Sequence, residues 1–191
     1  MAPEGIQAVV IGASAGAVQA LLQIFPALPA PYPVPILVIV HIPPGKDNAL
    51  VPLFASKTPL TVKEAEDKEP PRAGIIYFAP SDYHLLVEDT ETLALSGDEP
   101  ANHSRPSIDV LFESAADIYG PSLVGIILTG ANSDGAAGLK AIANAGGHAI
   151  IEDPTSASAA TMPAAALAAC PGADVWHLGK ISSFLEQLAV T

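Results

Sequence analysis

Short apolar runs recur along the chain, and amphipathic segments separate them. The runs at 8–11 and 36–40 are rich in β-branched residues, which is typical of strands buried on both faces of a parallel sheet. Runs of the same kind occupy 122–128, 148–151 and 173–177. The pattern therefore predicts at least five buried strands.

The segments between these runs carry apolar residues at helical spacing. They predict helices at 17–25, 49–57, 106–119, 135–147, 163–169 and 181–190. Strands that alternate with helices indicate an α/β fold with a mainly parallel, doubly wound sheet covered by helices on both faces.

One region departs from this alternation. Residues 60–96 hold short alternating segments with turn signals between them, which favours antiparallel strands. We expect a small antiparallel β insertion, or an edge of the main sheet, around 60–96, within a single domain that covers 1–191.

Composition narrows the function classes. The 191 residues are 50% hydrophobic, enough for a sizeable core, and the net charge of −12 disfavours nucleic acid and anionic lipid surfaces. Cys170 is the single cysteine, so an internal disulfide is excluded. No run approaches the roughly 20 apolar residues of a membrane span, and the N-terminus lacks a signal-peptide pattern. We expect a cytoplasmic protein with no membrane insertion.

Reactive side chains follow three of the predicted parallel strands. Ser14 follows 8–11, His41 follows 36–40, and Asp134 lies shortly after 122–128. Ligands of open α/β sheets bind outside the carboxyl ends of the strands, and a serine, an imidazole and a carboxylate are the set that acyl transfer requires. Glu152 and Asp153 follow a further strand and compete for the role of the acid.

The stretch "GASAG" at 12–16 fits a G-x-S-x-G turn. Its glycines permit a sharp strand-to-helix turn, and N–H groups at the helix start can stabilise an oxyanion. A tight turn capped by serine, with no catalytic role, explains the same residues. A dinucleotide-binding turn is a further alternative, although Ser14 replaces its middle glycine and His41 stands where a ribose-binding acid is expected.

The remaining histidines and the cysteine carry weaker signals. None of them has the spacing of metal ligands, and Cys170 precedes Pro171 and Gly172 at a predicted helix end, which favours a structural thiol. We expect neither a metal nor a cofactor. The histidines concerned are His84, His103, His148 and His177.

Several motifs occur together in a fixed order. They are "VVIGASAG", "VIVHIPPG", "VKEAEDKEPPRAGIIYFAPSDYHLLV", "RPSIDVLFESAAD", "VGIILTGANSDGAAGLKAI" and "MPAAA". In this order the chain resembles, over nearly its whole length, the catalytic domain of the chemotaxis receptor methylesterases of the CheB type.

The resemblance implies a cytoplasmic serine hydrolase that removes methyl groups from glutamate methyl esters on the helices of methyl-accepting chemotaxis receptors, without a cofactor. Some members of the family also deamidate receptor glutamines. By the same resemblance Ser14 is the nucleophile, His41 the general base and Asp134 the orienting acid, in preference to Asp153.

The resemblance also implies a substrate cleft that includes the backbone of Ala15, Gly16 and Ala131 and the side chain of Arg105. Here the chain departs from the family pattern. Ala15 replaces a threonine and Asn132 replaces a glycine. Ser104 stands at a cleft histidine position, with a histidine one place earlier.

We also expect a single catalytic domain, without the N-terminal receiver domain that is usual in the family. These departures leave one alternative function open, a receptor-binding domain that has lost its activity.

Overall fold

The computed structural model describes residues 5–41 and 48–190. Within these ranges the strands are β1 (Ala8–Ala13), β2 (Ile36–Val40), β3 (Thr61–Glu64), β4 (Ile75–Phe78), β5 (His84–Asp89), β6 (Thr92–Ser96), β7 (Leu123–Ile127), β8 (His148–Glu152) and β9 (Asp174–Trp176). The helices are α1 (Ala17–Ile24), α2 (Leu50–Ala55), α3 (Ile108–Tyr119), α4 (Ala136–Asn144), α5 (Thr161–Ala169) and α6 (Leu178–Leu188).

Seven of the strands form one parallel sheet in the order β3-β4-β2-β1-β7-β8-β9. From β1 the chain moves to one side for β2, β3 and β4, and returns to the other side of β1 for β7, β8 and β9. The switch point therefore lies at the carboxyl ends of β1, β2 and β7, where open α/β sheets bind their ligands.

Alternate residues of the central strand, β1, pack into two different hydrophobic layers. Val9 and Ile11 belong to a core covered by α1 and α6, whereas Ala8 and Val10 belong to a core covered by α3, α4 and α5. Every residue of β1 is buried. A strand buried on both faces explains why its sequence is continuously apolar rather than alternating.

The predicted α/β fold with its mainly parallel sheet is confirmed, but the extent of the antiparallel part is corrected. Among the strands of the described residues, β5 and β6 alone pair antiparallel, in a separate two-stranded sheet. β3 and β4 are instead parallel strands of the main sheet. The connection at 65–74 returns the chain to the starting end of β3, which a hairpin turn does not do.

The small sheet packs on α3. Leu85, Val87 and Leu93 share the α3 layer of the core, and the Val87 N–H donates to Ser114 Oγ at 3.1 Å. None of the helices in the ranges 5–41 and 48–190 is long and apolar enough to cross a membrane.

Candidate active site

The ends of β1 and β2 place Ser14 and His41 on neighbouring strands. Ala13 pairs with Val40 in the register of the two strands, and Ser14 and His41 are the next residues of each. The His41 N–H donates to Ala13 O at 3.3 Å, and the Ser14 N–H donates to Thr129 O at 2.9 Å. The backbones of both predicted catalytic residues are therefore fixed at the switch point.

Asp134 meets His41 across this crevice. His41 Nε2 lies 2.9 Å from Asp134 Oδ2, with 14% of the imidazole side chain exposed and none of the carboxylate. The sequence prediction that these two side chains share one site agrees with this contact. An imidazole held by a buried carboxylate has a fixed orientation and a stabilised charged form.

The Asp134 carboxylate sits at the N-terminus of α3. Oδ2 also accepts from the Ile108 N–H at 2.7 Å, and Oδ1 accepts from the Asp109 N–H at 3.1 Å. Ser107 Oγ and Asn102 Nδ2 each donate to Oδ1 at 2.9 Å. The positive end of the helix dipole adds to this stabilisation of the negative charge.

These contacts set the ionisation of Asp134. Burial by itself opposes the charged form, but the hydrogen bonds donated by His41, Ile108, Asn102 and Asp109 outweigh it, and the pKa of Asp134 lies below its ordinary value. The acid therefore stays ionised wherever His41 needs a negative partner.

A second carboxylate, that of Asp109, lies beside the first. Asn102 Nδ2 donates to Asp109 Oδ2 at 2.7 Å as well as to Asp134, and the Gly138 N–H donates to Asp109 Oδ1 at 2.6 Å. Burial raises the pKa of Asp109, and the charge of Asp134 raises it further. The Asn102 side chain thus bridges the two carboxylates, and its backbone has a positive φ of 51°.

Sequence reasoning did not identify Asn102 or Ser107 as partners of Asp134. Ser107 has the sequence signal of an N-cap residue, and it does precede α3, but its hydroxyl donates to Asp134 rather than capping the helix.

Asn132 contacts the other side of the imidazole. Its Nδ2 lies 3.1 Å from His41 Nδ1, and its Oδ1 accepts from the Asp134 N–H at 3.0 Å. Both ring nitrogens of His41 are therefore engaged. No hydrogen bond joins Ser14 Oγ to the imidazole in the part of the chain that the structure describes.

The turn after Ser14 is held by Thr129. Its Oγ1 donates to Ala15 O at 2.8 Å and accepts from the Ala159 N–H at 2.8 Å. Gly16 caps α1 with φ of 84°, and a Cβ there would meet Thr129 Oγ1 at 3.0 Å and Ser158 Cβ at 2.8 Å. Glycine is therefore required both by the backbone conformation and by the space.

The predicted cleft residues divide into two groups. Ala15, Gly16 and Ala131 are exposed beside the strand ends. The Arg105 side chain is bonded elsewhere: Nη1 donates at 3.0 Å to the carbonyls of Gly97 and Asp98, after β6. Its Nε is buried without a hydrogen-bond partner among the described residues.

The two competing carboxylates do not contact His41. Glu152 is buried and accepts from the Thr129 N–H at 2.8 Å, and burial raises its pKa. Asp153 accepts from the N–H and Oγ1 of Thr155, each at 2.8 Å. Glu152 therefore supports the Thr129 backbone behind Ser14, and Asp153 stabilises a local turn.

Three of the other histidines have structural partners. His84 Nδ1 accepts from the Ser107 N–H at 3.2 Å, His148 pairs with Asp174 at 2.7 Å, and His177 Nδ1 accepts from the Lys180 N–H at the start of α6. Within 5–41 and 48–190 there is no group of three or more His, Cys, Asp or Glu side chains that could hold a metal ion.

The fold and the imidazole–carboxylate pair together define a doubly wound α/β protein with a candidate acid–base site at its switch point. The family model described as CheB methylesterase matches residues 9–185. The chain belongs to the CheB methylesterase family, as its motifs predicted.

Individual relatives agree. A curated relative in Leptospira interrogans is 44% identical over 182 residues, which cover 95% of this chain and 94% of that protein. A relative in Carboxydothermus hydrogenoformans, named protein-glutamate methylesterase/protein-glutamine glutaminase 1, is 39% identical over 97% of this chain, which spans 55% of that longer protein. The crystal structure of the Thermotoga maritima CheB methylesterase catalytic domain has a TM-score of 0.90 at 35% identity and covers 96% of this chain and 98% of its own.

Proposed function

We propose that this chain is a protein-glutamate methylesterase that uses Ser14 as nucleophile, His41 as general base and Asp134 as the acid that orients the imidazole. The observation that carries the proposal is the 2.9 Å contact between His41 and Asp134, made at the strand end next to Ser14. Membership of the CheB methylesterase family supports it.

The first half-reaction is acylation. His41 Nδ1 accepts the hydroxyl proton of Ser14 as Oγ attacks the ester carbonyl of a methylated glutamate side chain. The tetrahedral intermediate collapses, the C–O bond to the methoxy group breaks, and the proton on His41 passes to the leaving group as methanol departs. Asp134 remains a carboxylate throughout and stabilises the imidazolium.

The second half-reaction is hydrolysis of the acyl-enzyme. His41 accepts a proton from water, the water oxygen attacks the acyl carbon, and the bond to Ser14 Oγ breaks with return of the proton. The products are the free glutamate side chain and the regenerated hydroxyl. The same sequence with an amide releases ammonia, which fits the glutaminase part of the name of the Carboxydothermus relative.

Backbone N–H groups supply the electrostatic stabilisation. The N–H groups at the start of a helix have no acceptor within that helix, and α1 begins directly after Ser14, Ala15 and Gly16. Ala131 is exposed on the opposite loop. The Ala17 N–H already donates to Ser14 O at 3.0 Å. We therefore assign the oxyanion to the N–H groups of Ala15, Gly16 and Ala131, because preorganised N–H groups cost no reorganisation as charge develops.

The substrate class follows from the family. We assign as substrates the methylated glutamates on the cytoplasmic helices of chemotaxis receptors. We assign Arg105 no contact with substrate, because its Nη1 is bonded to the loop after β6.

The test is methanol release from a methylated chemoreceptor cytoplasmic fragment, with ammonia release measured in parallel. The wild-type protein is compared with Ser14→Ala, and with Ser183→Ala at an exposed position of α6 as the matched control. We expect methanol from the wild type and the control and none from Ser14→Ala. Binding of the fragment without release by the folded wild type would favour the receptor-binding alternative.

A further inference from the structure

The amide of Asn132 lies against the imidazole nitrogen that the proposed reaction needs. Asn132 Nδ2 is 3.1 Å from His41 Nδ1, while His41 Nε2 faces Asp134 Oδ2 at 2.9 Å. With one ring nitrogen facing the acid, only Nδ1 remains to accept a proton from Ser14. Asn132 occupies that nitrogen.

The direction of this hydrogen bond can be assigned from its neighbours. Asn132 Oδ1 is 3.0 Å from the Asp134 backbone N–H, a group that can only donate, so the amide oxygen must face it. The amide nitrogen, which can only donate, therefore faces His41 Nδ1. It follows that Nδ1 is unprotonated and that the ring proton sits on Nε2, directed at Asp134.

This hydrogen bond has two opposite effects on His41 as a general base. It selects the neutral tautomer that a general base requires. However, a neutral imidazole has one in-plane lone pair on Nδ1, and the Ser14 hydroxyl and the Asn132 amide both need it. Once Nδ1 carries a proton, it would face the amide donor with no acceptor between them.

The position of Asn132 allows its side chain to move away from His41. It is half-buried in the connection at 128–135, and its neighbours Ala131 and Ser133 are exposed. Asp134 is itself held by five other donors, so the carboxylate does not depend on the Asn132 side chain for its place.

We propose that Asn132 is a positioning residue that fixes the tautomer of His41 in the resting site and blocks its base nitrogen, so that acylation of Ser14 requires the amide to move away. The inference rests on the proposed roles of Ser14 and His41. It gives the replacement of a glycine by Asn132 a specific consequence: a restrained nucleophile in the free protein.

The first experiment measures the reactivity of Ser14 without a receptor. Diisopropyl phosphorofluoridate labels an activated serine: an Oγ–P bond forms, the P–F bond breaks, fluoride leaves and the base takes the proton. The second-order rate of Ser14 labelling is followed by peptide mass spectrometry in the wild type, in Asn132→Ala and Asn132→Gly, and in Ser133→Ala as the matched control on the same loop.

We expect both Asn132 variants to label about three- to tenfold faster than the wild type, which is the net worth of one ordinary hydrogen bond. Ser133→Ala should label at the wild-type rate.

The second experiment reads the contact itself. In protein labelled with ¹⁵N-histidine, long-range proton–nitrogen correlation reports the tautomer of His41, assigned with His41→Gln. We expect an Nε2-protonated ring in the wild type and a shift of the Nδ1 resonance in Asn132→Ala toward that of a nitrogen without a hydrogen bond, with no shift in Ser133→Ala. This readout needs no esterase activity.

The outcomes distinguish the proposed role of Asn132 from the proposed role of Ser14 as nucleophile. Labelling of Ser14 at equal rates in the wild type and both Asn132 variants, or slower labelling in the variants, overturns the blocking role and leaves Ser14 as nucleophile. An unchanged Nδ1 resonance in Asn132→Ala overturns the contact. Absence of labelling in every variant, with folding intact, overturns the proposed function and the inference with it.

Discussion

Gly12 of β1 and Ile108 at the first turn of α3 approach so closely that a Cβ on Gly12 would lie 2.4 Å from Ile108 Cγ2. The strand that carries Ser14 therefore touches the residue whose N–H donates to Asp134 Oδ2 at 2.7 Å. This contact couples the position of the acid to the position of the nucleophile.

Gly12→Ala should consequently disturb both stability and the site. The added methyl group forces Ile108 away from β1, and overpacking of this kind costs about 1–3 kcal/mol in the free energy of unfolding. Urea denaturation measures the loss. Gly97→Ala is the matched control, because nothing lies within 4 Å of a Cβ there; equal stability of the two variants would contradict the tight contact.

Asp134→Asn should lower turnover by a factor on the order of 10⁴, because an amide facing His41 Nε2 favours the wrong tautomer and cannot stabilise the imidazolium. Methanol release from the receptor fragment measures the rate. Asp117→Asn, an exposed carboxylate on α3, should retain full activity. Wild-type turnover by a folded Asp134→Asn protein would remove Asp134 from the proposed triad.

Asn102→Gly should destabilise the protein by about 1 kcal/mol, because it removes the donor that Asp109 and Asp134 share. Glycine adopts the positive φ of position 102 without strain. The neighbouring exposed His103, with φ of 61°, offers His103→Gly as a control for the backbone. Chemical denaturation of the two variants decides; a loss of equal size in both would assign the effect to the backbone rather than to the shared donor.

Ionisation of Glu152 should make the free energy of unfolding depend on pH. Burial raises its pKa in the folded state, and the charge of Asp153 adds to this. A raised pKa means that the stabilising contribution of the protonated form is complete below the unfolded-state pKa, about 4.3, and is lost as pH rises through the folded-state value.

Glu152→Gln keeps an acceptor for the Thr129 N–H without the charge. We expect it to be more stable than the wild type at pH 7.5 and to lose that advantage at pH 4. Urea denaturation at both pH values measures this, with the exposed Glu91→Gln as a control that changes neither. An advantage of equal size at both pH values would rule out ionisation of Glu152 as its cause.

The sequence placed Ser14, His41 and Asp134 at strand ends because buried parallel strands are recognisable from continuous apolar runs, and their carboxyl ends share one edge of the sheet. It did not predict that β3 and β4 run parallel. Alternation reports which faces of a strand are covered, whereas direction depends on the path of the connection.

The contacts around the acid were less accessible to prediction. Asn102 and Ser107 reach Asp134 from 32 and 27 positions away in the chain, and the packing of α3 against α4, which begins just after Asp134, brings them together. The orientation of the Asn132 amide depends on an N–H group and a ring nitrogen that meet only in the fold. Arg105 was expected in the cleft, and its bonds to Gly97 and Asp98 depend on a loop whose course the sequence pattern does not determine.

The most direct measurement is capture of the covalent intermediate on Ser14. The wild-type protein and Ser14→Ala are mixed with the methylated receptor fragment, quenched in acid within milliseconds and digested for mass spectrometry. Our account predicts an ester between Ser14 Oγ and the γ-carbonyl of a receptor glutamate in the wild type only. Methanol release by the wild type with no adduct on Ser14 would contradict it. Undiminished methanol release by Ser14→Ala would contradict it as well.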